Sequence, residues 1–167
     1  MSLLTPLTPL TRRTAVIALA AGLAGCATPR PRRPGEAAWS GRLALRVGSA
    51  PPQAFSALFD LRGSAARGEL QLSSALGQTL ATVRWSAQGA ELQRGNDTTR
   101  RDSLDALTTE LSGAPLPVLA MFDWLQGRDA QAGGWRVDLS AHANGRLVAR
   151  REQPLPSAEL RLVFEQP

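Results

Sequence analysis

From Trp39 onward the chain alternates between apolar and polar positions. In WSGRLALRVG, Leu43, Leu45 and Val47 share one face while Arg42 and Arg46 share the other. In QAFSALFDLR the apolar set is Phe55, Ala57, Phe59 and Leu61. ARGELQLS pairs Leu70 with Leu72, QTLATVRW groups Ala81, Val83 and Trp85, and GAELQRG adds Ala90 and Leu92. A period of two at turn-marked intervals predicts short antiparallel strands with one wet face.

The period then changes. DSLDALTTELSG sets Leu104, Leu107 and Leu111 at helical spacing, with Asp102 placed to cap the start and Gly113 to stop the end. PLPVLAMFDWLQG predicts a second helix, with Pro117 in its first turn and Gly127 at its end. Val118, Leu119, Ala120, Met121, Phe122, Trp124 and Leu125 cover nearly its whole circumference, and Asp123 is its only charge. A helix apolar all round is either buried on most sides or faces an apolar cavity. Alternation returns in GWRVDLS, GRLVARRE and AELRLVFE. The count is eight strands and two helices. A sheet this long curls, so the expected fold is α+β: an incomplete, unclosed antiparallel β-barrel whose helices cover the concave apolar face. The body spans 39–167.

One residue breaks the pattern. SSALGQTL, between two strands, has the small and polar residues of a turn, with Gly77. Leu76 stands at its tip, where water is the expected neighbour.

The composition removes several function classes. Hydrophobic residues make up 43% of the 167 positions, a globular rather than disordered content. All 19 basic residues are arginine, spread along the whole chain and mostly on the polar side of alternating strands. A nucleic-acid binder concentrates such charge on one element, so no nucleic-acid partner is expected. One cysteine and one histidine leave neither an internal disulfide nor a Cys/His metal cluster. His142 lies in the turn-like SAHANG without a G-x-S-x-G elbow, which reads as a solvated loop histidine. No enzyme, cofactor or metal site is expected.

The N-terminal segment has its own logic. Arg12 and Arg13 precede an apolar run from Ala15 to Ala24, too short to span a bilayer. It ends in Leu23-Ala24-Gly25-Cys26, which resembles a bacterial lipobox. Residues 1–25 then form a lipoprotein signal peptide, and Cys26 carries the acyl anchor. Its removal takes Arg12 and Arg13, so the mature protein is less basic than the formal +5 of the chain. Residues 26–38 hold the lipidated cysteine and a Pro/Arg-rich stretch that cannot be helical. Twelve such residues in polyproline form reach roughly 37 Å at about 3.1 Å each. Ala27 follows the cysteine; an aspartate there marks inner-membrane retention in many Gram-negative systems, so its absence points to the periplasmic face of the outer membrane.

These residues together resemble the LolB family of outer-membrane lipoproteins. The resemblance runs through the lipobox, WSGRLAL, LQLSSALGQTLATV, LTTELSGAPLPVLAMFDWLQG and AELRLVFE, most of the mature chain. It implies a monomeric receptor that accepts lipoproteins from the periplasmic carrier LolA, without covalent chemistry, and inserts them into the outer membrane. Leu76 and Gly77 match the family's membrane-insertion loop. The acyl cavity is expected to be lined by Phe55, Phe59, Leu70, Leu72, Val83, Trp85, Leu119, Phe122 and Trp124. Those residues equally suit a filled core, and the other reading is a structural outer-membrane lipoprotein acting through its surface. Some members have a longer region after W-L-x-G; here Gly127 reaches Trp135 through a short loop, which predicts fewer strands and a more open cavity. The sequence has no tyrosine, so any tyrosine contact of other members is lost.

Overall fold

The computed structural model describes residues 37–112 and 115–165. Cys26, the Pro/Arg-rich segment and Gly113 lie outside them. The described chain forms strands β1 (Ala37–Val47), β2 (Gln53–Gly63), β3 (Gly68–Ser73), β4 (Thr79–Ser86), β5 (Gly89–Arg94) and β6 (Asp97–Arg101). Helices α1 (Leu104–Ser112) and α2 (Val118–Trp124) follow, then β7 (Trp135–Asp138), β8 (Arg146–Arg151) and β9 (Ala158–Phe164). One nine-stranded sheet results, in the order β6-β5-β4-β3-β2-β1-β9-β8-β7. Every pairing is antiparallel, and β6 and β7 are left as edges, so the barrel is unclosed.

The strand missing from the sequence reading is β6. Its residues, DTTRR, contain no apolar position, and all but Thr99 are exposed. Periodicity had nothing to detect. The strand forms because Gly95, with φ +54, lets the chain fold back and continue β5's ladder as far as Ala90 opposite Arg101.

The inward positions of the strands and the inner faces of the helices make one core. Leu61, Ala149, Leu107, Trp124 and Leu125 are completely buried there. Helix α1 packs against β5 and β6. Its cap is Ser103 rather than Asp102: the Ser103 hydroxyl accepts the Ala106 N–H at 3.1 Å. Leu104 and Leu107 turn inward, while the side chain of Leu111 is outside the described residues. Pro117 stands one residue before α2, giving its carbonyl to the Met121 N–H at 3.0 Å. Without an N–H of its own it adds no donor to those that a helix start leaves unpaired, and the Val118 N–H donates to the Leu116 carbonyl at 2.9 Å. The far end stops at Gly127, whose φ of +75 suits glycine.

Of the two fates open to an all-apolar helix, α2 takes burial. Phe122 meets Trp85 of β4 edge-on, with ring centroids 6.0 Å apart. Trp124 donates its indole N–H to the Ala130 carbonyl at 2.8 Å, which satisfies the one polar atom that burial would strand. His142 is half-buried rather than solvated. Its Nε2 lies 3.0 Å from the Leu125 carbonyl, and its ring packs on Phe164. The imidazole is therefore a fastening at the end of α2.

Candidate functional site: an apolar cavity beside an exposed leucine

Under α1 and the linker that follows it, the sheet leaves space. A cavity of about 430 Å³ opens there, within the roughly 300–1,000 Å³ usual for small-ligand sites. Five neighbouring strands build its wall: Leu45 and Val47 of β1, Phe55 of β2, Leu70 and Leu72 of β3, Ala81 and Val83 of β4, and Leu92 of β5. They meet because cross-ladder partners share a face. Leu45 pairs with Phe55, Leu70 with Val83, and Val83 with Leu92. Leu116 closes the helical side. It is held by Thr108, whose buried hydroxyl accepts the Leu116 N–H at 3.1 Å. The hydroxyl is thus used for positioning, and the strand-built wall is apolar apart from Gln53 and Arg94.

The expected lining set divides. Phe55, Leu70, Leu72 and Val83 line the cavity. Phe59, Trp85, Phe122 and Trp124 do not; they are packed into the core, at 3%, 6%, 5% and 0% exposure. Trp85 is committed elsewhere, since its indole N–H donates to the Ser64 carbonyl at 3.1 Å. Leu119 lies on the outer side of α2 at 39% exposure. Alternation assigns a residue to the inner face, but not to the part of that face left uncovered.

One lining residue was hidden from sequence reading. The β3–β4 register runs Leu72 opposite Ala81, then Ser73 opposite Thr79, so Leu80 is an extra residue on its strand. Such a bulge breaks alternation, and Leu80 joins Ala81 on the cavity wall. Leu80 and Phe55 remain 41% and 42% exposed, which places them at the mouth.

Beyond the bulge comes the turn that carries Leu76. The Ser74 carbonyl accepts the Gly77 N–H at 2.9 Å, and the Ser74 N–H donates to the Gln78 carbonyl at 2.8 Å. Gly77 has φ +82, the left-handed conformation that this tight reversal requires. The turn is closed by its backbone and needs no apolar plug. Leu76 accordingly stands out at 90% exposure. The ladder places it at the same end of the sheet as the mouth: β2 runs on past Ser73, whose partner is Leu58, to reach Phe55 and Gln53.

A family model described as "Outer membrane lipoprotein LolB" matches residues 37–160. The outer-membrane lipoprotein LolB of Bordetella petrii is 34% identical, covering 82% of each chain. That of Bordetella pertussis is 34% identical over 80% of each. The Cupriavidus metallidurans protein of the same name is 40% identical over half of this chain and 40% of its own length.

Proposed function

The chain belongs to the LolB family of outer-membrane lipoproteins, and from that membership we propose that it receives lipoproteins from the periplasmic carrier LolA and inserts them into the outer membrane. The observation that carries this reading is the open apolar cavity next to a protruding leucine. Acyl chains of the client enter between Phe55, Leu72 and Leu80 and lie against Leu70, Val83 and Leu92. Each methylene removed from water stabilises the complex by about 0.8 kcal/mol. Small differences in burial between carrier, receptor and bilayer then suffice to give transfer a direction. No bond is made or broken, so the role asked of the protein is that of a receptor rather than an enzyme. Cys26 is the anchor, residues 26–38 the tether, and Leu76 with Gly77 the element that meets outer-membrane lipid. The unfilled cavity supports this reading over that of a structural lipoprotein with a solid core.

Phe55→Asp tests it. Phe55 is half-exposed, so the fold tolerates the change, while a carboxylate at the mouth faces the entering chain and must give up water to let it pass. Acceptance of a lipoprotein from loaded LolA should fall by about tenfold or more. Val163→Asp, on the outer face of β9 at 50% exposure, should leave it unchanged. Normal acceptance by a folded Phe55→Asp protein would remove the cavity from the pathway.

A further inference from the structure

Two strands end their inward series on a polar residue at the cavity mouth. On β2 the series is Gln53, Phe55, Ala57, Phe59, Leu61; on β5 it is Ala90, Leu92, Arg94. Both Gln53 and Arg94 line the cavity. Arg94 is the one charged residue in that lining, and no carboxylate accompanies it.

Arg94 also differs from its neighbours on the sheet. Arg84 pairs with Glu69 at 2.7 Å, and Arg100 pairs with Glu91 at 2.7 Å. Asp97 sits directly across the ladder from Arg94, yet the two form no ion pair. Among the described residues nothing accepts a hydrogen bond from the Arg94 guanidinium. An exposed arginine in water pays little for that. Once an acyl chain fills the space beside it, the same five N–H donors face whatever end of the ligand is left at the mouth.

Resting on the acyl-chain reading above, we infer that Arg94, assisted by the Gln53 amide, recognises the oxygen-bearing head to which the chain is attached. The chemistry recognised is a carbonyl or carboxylate oxygen within reach of the mouth. Two sources share it: an esterified or amide-linked acyl group on a polypeptide, and a free fatty acid. A cationic head is repelled. Arg94 thereby sets which amphiphile enters and which way round it lies, a selection that the apolar wall alone does not make.

The test uses the full chain in phosphatidylcholine vesicles with photoactivatable probes. Each probe has a palmitoyl-length chain with a diazirine at its far end, and the head is carboxylate, methyl ester or trimethylammonium. Capture is mapped to cavity residues and compared between wild type and variant for each head, which cancels differences in partitioning. Arg94→Leu should lower carboxylate capture by about tenfold, the loss of a charge-assisted hydrogen bond, and leave or raise trimethylammonium capture. Arg94→Lys, which keeps the charge, should retain most of the carboxylate capture. A matching fall for the methyl ester assigns the site to linked acyl groups; a fall confined to the carboxylate assigns it to free fatty acids. Equal falls for all three heads, or no fall for the carboxylate, would overturn the inference while leaving the acyl cavity standing. Capture of no probe by the wild type would overturn the acyl-chain reading itself, and this inference with it.

Discussion

Leu76→Asp separates taking a lipoprotein in from giving it up. The leucine is 90% exposed and the turn beneath it is closed by two backbone hydrogen bonds. Nothing in the folded body depends on its side chain, so the substitution should change stability by no more than about 0.5 kcal/mol. In a domain of this size that is a shift of about 2 °C in the melting midpoint. The membrane step is different. Nearly the whole leucine surface is free to enter lipid, and full burial of such a side chain contributes about 1.5–3 kcal/mol. Losing it lowers occupancy of the bilayer surface by roughly tenfold to a hundredfold. The new carboxylate also has to keep its water and resists insertion. Delivery to liposomes should therefore fall by at least about tenfold while acceptance from loaded LolA stays at the wild-type level. The assay measures both steps with the purified full-length protein, carrier and liposomes, beside a thermal melt. Wild-type delivery by the variant would refute the membrane role of Leu76. A large drop in melting midpoint with both steps impaired would refute the claim that the turn is independent of it.

Trp124→Ala should destabilise the fold by about 3–5 kcal/mol, because the side chain is fully buried and its removal leaves a cavity and an unpaired Ala130 carbonyl; denaturant unfolding measures this, and a loss below about 1 kcal/mol would return Trp124 to the candidate lining. Cys26→Ala should abolish acylation and release the protein to the periplasm, as fractionation and intact-mass measurement would show; membrane-bound, acylated variant would contradict the anchor assignment.

The sequence was most informative where side chains obey the pleat. Leu43, Leu45, Val47, Val83 and Leu92 were legible as inward residues because burial of one face of a sheet imposes alternation. Leu76 was legible as an anomaly for the converse reason, since turn chemistry predicts polar residues. What escaped reading depended on departures from regularity or on the third dimension. Strand β6 has no apolar member and exists through its ladder with β5. Leu80 faces the cavity through a bulge, which a two-residue period cannot announce. Phe122 and Trp124 have the composition of a cavity wall, and only packing against Trp85 and Ala130 assigns them to the core. Arg94 follows Ala90 and Leu92 at the same period, but nothing in the sequence announces that β5 ends with it at the lining of a cavity.

The place of β1 in the sheet has a consequence for the order in which the protein assembles. Leu43 is in register with Ala57 on one side and with Leu162 on the other. The first strand of the body thus waits for the last. Strands β1 to β6 pair with their neighbours in sequence, whereas β9 reaches β1 only by closing a loop that spans the intervening strands and both helices. Until then β1 presents an unpaired edge, and the inward residues of half the sheet remain wet. Pairing across such a separation raises the contact order, which predicts slower folding than for a sheet built of hairpins alone.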